Sequence, residues 1–262
     1  MPPHTMQQGD VTCEVVDGVA AVRLSRPDKL NALTLPMLDA LVSTARQLRR
    51  RPDVRAVVLS GEGDAFCAGM DLGTALRDPQ GIARRFVPGL RGTNVFQEAC
   101  WAWRRLPVPV AAAVHGHCLG GGLQLALGAD FRISTPDAAW SVRETRWGLV
   151  PDMSGTRSLV EVVGLDVAKD LTLTARTVSG DEAHRIGLVT RLAEDPVAAA
   201  SDLVSQIVVH DREAVARGKR LLDRAYGASA RATFRRERLA QLGLLARMDR
   251  SGLPGGAAPR KG

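Results

Sequence analysis

The stretch His115-Gly116-His117-Cys118-Leu119-Gly120-Gly121-Gly122-Leu123-Gln124-Leu125-Ala126 follows directly on an apolar run at residues 108–114. A short apolar run closed by glycine reads as a buried strand. Beyond the glycines, Leu123, Ala126 and Leu127 open an apolar face at helical spacing. A buried strand turning through glycine into a helix is a building unit of α/β domains. Without Cβ atoms the backbone turns sharply and lets a ligand approach, while N–H groups at the helix start carry partial positive charge. The turn is a candidate seat for negative charge, and taken alone it also fits a tight packing turn between strand and helix. It has neither the Gly-x-Gly-x-x-Gly spacing of a dinucleotide site nor the Gly-Lys-Ser/Thr of a phosphate loop.

The same alternation extends outward. Val11–Val16 and Val19–Leu24 flank Asp17-Gly18, a hairpin dipeptide, so two paired strands open the chain. Thr34 is placed to cap a helix carrying Leu35, Leu38, Leu41, Val42, Ala45 and Leu48, ending at the arginines before Pro52. Residues 56–59 form a short apolar strand closed by Gly61-Glu62-Gly63, and residues 81–106 read as one helix with Phe96, Ala99, Cys100 and Trp103 on a common face. Asp130 and Arg132 fit a buried strand edge. The order implies an α/β domain with mainly parallel pairing, in which ligands meet the loops at strand ends. From residue 196 onward the pattern is helical only, over 198–209, 214–226 and 230–248. The expected division is a core over 1–195 and a helical region over 196–262, with the Gly-, Pro- and Ala-rich 251–262 disordered. No internal repeat is legible.

Composition bounds the function. With 262 residues, 45% apolar and 24% charged, the chain has the make-up of a folded globular protein. Its net charge of +7 comes almost wholly from arginine, the lysines being Lys29, Lys169, Lys219 and Lys261. A basic balance suits an anionic ligand. Aromatic content of 4%, with Tyr226 the single tyrosine, is poor material for stacking on bases, so nucleic acid is an unlikely partner. Cys13, Cys67, Cys100 and Cys118 are widely spaced and read as buried reduced thiols. His115 and His117 lack a ligand set at zinc-like spacing, and no metal site is expected. With no long apolar run and no apolar signal core in the first ten residues, the expectation is a cytoplasmic protein without a membrane partner.

A second glycine turn, Asp64-Ala65-Phe66-Cys67-Ala68-Gly69-Met70-Asp71, follows the earlier strand. Two backbone N–H groups converging from two such turns make an oxyanion hole, which suits chemistry passing through an enolate. In their order these motifs resemble the enoyl-CoA hydratase/isomerase family, the crotonase superfamily. Leu24-Ser25-Arg26-Pro27-Asp28-Lys29-Leu30-Asn31-Ala32-Leu33 looks like that family's CoA-contacting loop. Phe66 to Asp71 looks like its first oxyanion loop, and His115 to Gly122 like its second.

The resemblance implies an α/β fold of the crotonase type, built of repeated ββα units with a C-terminal helical region. It further implies an acyl-CoA substrate with no separate cofactor, and homotrimers or dimers of trimers held by the C-terminal helices. Met70 and Gly121 take the place of the oxyanion donors. Ala68, Lys29, Leu30, Gln124 and Trp140 stand as substrate-binding candidates, with Arg26 a second candidate for CoA phosphates. The family's hydratases use two glutamates. Gln124 occupies the first of those positions, and an amide orients a water but does not exchange a proton with it. Glu144 occupies the second. Asp152, eight residues further on, matches the added aspartate of the family's dienoyl-CoA isomerases.

Glu144 and Asp152 are therefore the expected catalytic acids. One removes a proton from the acyl chain and the other returns one further along. Three other readings stay open: hydration of a 2-enoyl-CoA by Glu144, a single-acid shift of a 3-enoyl to a 2-enoyl thioester, and a non-catalytic acyl-CoA or RNA-binding homologue. Asp152 also suits the N-cap of a following helix, Gln124 a packing role in the wall, and Trp140 and Trp147 the core or the acyl site.

Overall fold

The structure, a computed structural model, describes residues 4–247. The N-terminal part runs β1 (His4–Gln8), β2 (Val11–Val16), β3 (Val19–Leu24), α1 (Leu35–Arg50) and β4 (Ala56–Gly61). Short helices α2 (Leu72–Ala75) and α3 (Pro79–Phe86) precede α4 (Val95–Arg104). Then come β5 (Val110–Val114), β6 (His117–Leu119), α5 (Gly121–Ala126), β7 (Phe131–Ser134) and β8 (Ala139–Ser141). α6 (Gly155–Val163), α7 (Leu165–Thr174), α8 (Gly180–Arg185), β9 (Arg191–Leu192), α9 (Pro196–Val208), α10 (Arg212–Asp223) and α11 (Ala230–Leu245) complete the order.

The opening hairpin turns where the sequence places it, because Asp17 and Gly18 both adopt positive φ, at 48° and 81°. β1 has no apolar alternation, and only its antiparallel pairing with β2 reveals it. Thr34 caps α1 by accepting a hydrogen bond from the Met37 amide at 3.3 Å. The expected single helix over 81–106 is instead two helices. Pro88 drives Val87 into extended backbone, with ψ at 123°, and Asn94 starts α4 afresh with a capping box closed by Gln97.

Among the described residues the main sheet runs β1-β2-β3-β4-β5-β7-β9, parallel from β3 onward, and β6 pairs with β8 in a smaller sheet. The central strands are buried on both faces. Val57, Leu59, Val110, Ala112 and Val114 face the large core shared with α1 and α4. Ala56, Val58, Ala111, Ala113 and Ile133 face Ala200, Leu203 and Val204 of α9. Small side chains on that second face let α9 lie close against the sheet. Arg132, buried in β7, donates to the carbonyls of Leu188 at 2.7 Å and Ala129 at 2.9 Å, while the Asp130 carboxylate accepts from the Val110 amide at 2.8 Å.

The chain divides into two compact units, the first ending at Val209 and the second starting at His210. The boundary expected after residue 195 is thus displaced by one helix: α9 is a lid on the sheet and belongs to the core. In the second unit α10 and α11 pack on each other. Arg217 reaches the Ala240 carbonyl at 3.1 Å, over Gly243, where any side chain would collide with its guanidinium. The helix over 230–248 is described to Leu245; Met248 and the stretch 251–262 expected to be disordered lie outside the described residues. No described helix is long and apolar enough to cross a membrane.

Candidate active site

Parallel pairing puts the C-terminal ends of β4 and β5 side by side, and the loops leaving them converge. Cys67 donates its amide to the His117 carbonyl at 2.8 Å, and Leu119 returns one to Cys67 at 3.0 Å. On its other side the same loop pairs with residues 30–33: Ala68 donates to Leu30 at 2.9 Å, Leu33 to Gly69 at 2.7 Å, and Asp71 to Leu33 at 2.9 Å. The loop over 66–71 is therefore held between two others. Among the described residues the amides of Met70 and Gly121 donate to no backbone carbonyl. They remain free for an incoming acceptor.

Glycine is required where these loops meet. Gly69 has φ +96°, and a Cβ there would stand 2.9 Å from the Leu119 carbonyl oxygen and 3.6 Å from the Gly121 nitrogen. Gly120, the residue before α5, has φ 49° and ψ −117°, a conformation unfavourable to any side chain. A Cβ on Gly121 would lie 3.0 Å from Met153 Sδ, 3.4 Å from Leu33 Cδ1 and 3.6 Å from Met70 Cγ. Those three apolar side chains wall the free amide.

The anchor beneath this arrangement is Asn31, which is wholly buried and held at φ 56°. Its Nδ2 donates to the carbonyls of Glu62 at 2.8 Å and Ala65 at 2.7 Å, and its Oδ1 accepts from the Arg26 amide at 2.8 Å. Nothing in the quoted motif distinguishes Asn31 as a staple, although tolerance of left-handed backbone by asparagine is a usable signal. Met153 carries no sequence signal at all.

Glu144 begins a turn of 3₁₀ helix over Glu144–Trp147 that follows β8. Its Oε1 accepts from Gln124 Nε2 at 2.6 Å, whereas its Oε2 is buried without a partner among the described residues. A Cβ on Gly120 would touch this carboxylate at 3.2 Å, so Glu144 stands directly beside the second glycine loop. Burial pushes the Glu144 carboxyl above the usual carboxylate range; its own backbone amide, the Gln124 hydrogen bond and the Arg143 amide oppose this, and the Asp152 charge adds to it. Asp152 is also raised, by burial. Both carboxylates act on the buried Cys100 thiol, whose titration lies well above normal, chiefly because it is desolvated. Glu144 and Asp152 thus share one region. The expected N-cap role of Asp152 is not found: α6 is capped at Ser154, which has φ +71° and makes no side-chain capping bond.

Other candidates are placed differently from expectation. Trp140 is fully buried, with its indole N–H donated to Ser134 Oγ at 3.0 Å, and belongs to the core instead of a substrate surface. Gln124 is buried as well, and its amide is engaged by protein groups on both sides. Arg26 is bound to Asp71 at 2.9 Å and to the Ala32 carbonyl at 2.9 Å, so it ties the first two loops together instead of pointing at a phosphate. Lys29 and Leu30 are exposed at the rim. Among the described residues no group of three or more His, Cys, Asp or Glu side chains is placed to hold a metal ion.

Two glycine loops presenting free amides over a doubly covered sheet, with carboxylates beside them, define a crotonase-fold protein. The chain matches the model of the Enoyl-CoA hydratase/isomerase family over residues 14–248, and it belongs to that family. It is 34% identical over 223 residues to the short-chain-enoyl-CoA hydratase of Clostridium acetobutylicum, covering 84% of this chain and 83% of that one. It is 36% identical over 183 residues to the mitochondrial Δ(3,5)-Δ(2,4)-dienoyl-CoA isomerase of Mus musculus, covering 68% of this chain and 56% of that one. A Thermobifida fusca YX protein assigned to the enoyl-CoA hydratases, solved in complex with acetoacetyl-CoA, superposes with a TM-score of 0.82 at 35% identity, covering 92% and 96% of the two chains.

Proposed function

We propose that this protein isomerises an unsaturated acyl-CoA, moving double bonds without adding water. The thioester oxygen accepts hydrogen bonds from the Met70 and Gly121 amides. Removal of a proton from the acyl chain sends the C–H electron pair toward that oxygen, and the resulting enolate is stabilised there. One of Glu144 and Asp152 takes the proton, and the other delivers one to a carbon further along. The observation that carries the reading is the carboxylate pair: two desolvated acids, with the Asp152 charge acting on Glu144, next to free amides, and an amide at the position where a second hydration glutamate is required. Titrations raised toward neutrality suit groups that must both accept and release protons. Acetoacetyl-CoA bound to the T. fusca relative supports an acyl-CoA substrate.

Hydration of a 2-enoyl-CoA by Glu144 is the second reading, favoured by the hydratase relative in C. acetobutylicum. The test supplies 3,5-dienoyl-CoA, 3-enoyl-CoA and 2-enoyl-CoA in parallel. Conversion of the dienoyl thioester supports the proposal. Rapid hydration of the 2-enoyl substrate with neither isomerisation overturns it, and turnover of the 3-enoyl substrate alone reduces the mechanism to one acid. Self-association through the second unit is part of the same proposal. It is supported by the exposed apolar side chains Phe234, Leu239, Leu242 and Leu245 along α11, and sedimentation as a monomer would contradict it.

A further inference from the structure

Gln124 sits on α5 with 1% of its surface exposed, between the turn that carries Glu144 and the start of α6. Its Oε1 accepts from the Met153 amide at 2.8 Å and the Gly155 amide at 3.0 Å. Backbone N–H groups only donate, so this end of the side chain must be the oxygen and the amide cannot be flipped. The opposite end is then the NH₂ group, which faces Glu144 Oε1 at 2.6 Å. An NH₂ only donates, so Glu144 Oε1 must accept, and a proton on Glu144 has to reside on Oε2. That second oxygen is buried and unpartnered among the described residues. The cradle is built for this side chain, because a Cβ on Gly155 would fall 2.5 Å from Gln124 Cγ.

We propose that Gln124 is a positioning residue: its amide, locked by two backbone N–H groups, holds Glu144 Oε1 as a permanent acceptor and leaves Oε2 as the single oxygen through which Glu144 exchanges protons with the acyl chain. This rests on Glu144 being a proton carrier, as proposed above. The titratable group that acts on Glu144 is Asp152, from the segment before α6, and Glu144 in turn acts on the Cys100 thiol of α4. Asp152 disfavours the ionised form; the nearby backbone amides of Glu144 and Arg143 favour it, and among side chains the Gln124 hydrogen bond does so. A glutamate in place of Gln124 would retain the two backbone hydrogen bonds but set carboxylate against carboxylate, stable only with a proton shared between them.

The experiment follows the Glu144 side-chain carboxyl by ¹³C NMR titration of the full-length protein without substrate, assigned by its loss in Glu144→Gln, alongside pH profiles of kcat and KM. In Gln124→Met the Glu144 titration is expected to move to higher pH, with the kcat limb governed by Glu144 moving alongside it. The same variant should lose about tenfold or more in kcat with little change in KM. In Gln124→Glu two coupled titration steps should replace one. A folded Gln124→Met with unchanged Glu144 titration and unchanged kcat profile overturns the proposal. Should Gln124→Met fail to fold, an unaltered single-step titration in Gln124→Glu overturns it equally. Full turnover in Glu144→Gln refutes the proposed function, and the substrate-free titration then judges the contact between Gln124 and Glu144 separately.

Discussion

A Cβ placed on Gly69 would stand 2.9 Å from the Leu119 carbonyl oxygen, so the two glycine loops meet at a separation that leaves no room for a side chain between them. The Met70 amide follows Gly69 directly, and its direction depends on the +96° φ of that glycine. Gly69→Ala strains the backbone and presses on the Leu119 carbonyl, turning one oxyanion donor away. The expected loss is about 10²–10³ in kcat, the size seen when one such donor is removed. Steady-state kinetics with the preferred substrate, beside a thermal melt to confirm folding, checks it.

The glycine loops were legible because the sequence advertises them: strand-then-glycine patterns place both turns at the ends of β4 and β5, where parallel pairing brings them together. The candidate acids are legible only by resemblance, since nothing in the residues around Asp152 separates a helix cap from a catalytic carboxylate until Ser154 is seen to cap α6. Arg26 and α9 depart from the sequence expectation for a common reason. Their partners, Asp71 and the β4–β5 surface, are remote in sequence, and local pattern cannot tell an arginine aimed at phosphate from one already paired. Met153 acquires meaning only through contacts formed by the completed fold, as do the two backbone hydrogen bonds that lock Gln124.

Asn31 replaces missing covalent links between loops with three side-chain hydrogen bonds. Asn31→Ala removes all three, leaves buried backbone groups unpaired and puts alanine at φ 56°. A destabilisation of about 2–4 kcal/mol is expected in urea unfolding. Asn31→Asp, which retains the acceptor but loses the donor, should also destabilise.

Glu144 makes stability pH-dependent in a direction opposite to that of a salt-bridged acid. Its folded titration lies above the ordinary 4.5, so as pH rises through and above that value the unfolded chain releases its proton first. Stability therefore falls from about pH 4.5 upward until the folded group has ionised, and is level beyond. Asp152 adds a loss of the same sign from its ordinary 3.8 upward. Glu144→Gln should abolish the Glu144 contribution. Its free energy of unfolding minus that of the native sequence, measured from pH 4 to 8, is expected to increase as pH rises, the variant gaining relative stability while activity is lost.

Val204 on α9 and Leu242 on α11 differ in burial and hence in sensitivity to a charge. Val204 is fully buried against Ala113 and its neighbours, and Val204→Asp forces an unpaired carboxylate into that contact. A loss of about 3 kcal/mol or more is expected. Leu242 on α11 is 63% exposed, and Leu242→Asp should leave the chain's own unfolding within about 0.5 kcal/mol of native. Its effect should instead show in sedimentation, as a shift toward smaller species.

Asp152→Asn separates the two chemistries. The change preserves shape and removes only the ability to carry a proton; because Ser154, not Asp152, caps α6, the helix has nothing to lose. Melting temperature should hold or rise at neutral pH, since a desolvated carboxylate has been neutralised. Under the two-acid mechanism, conversion of 3,5-dienoyl-CoA falls by about 10²–10⁴, the usual contribution of a positioned general acid or base. A hydratase running on Glu144 alone would keep its 2-enoyl-CoA rate within a few-fold. Stopped-flow absorbance on both substrates with the one variant decides between them: selective loss of dienoyl turnover assigns Asp152 the second proton transfer, and equal rates before and after substitution remove it from the mechanism.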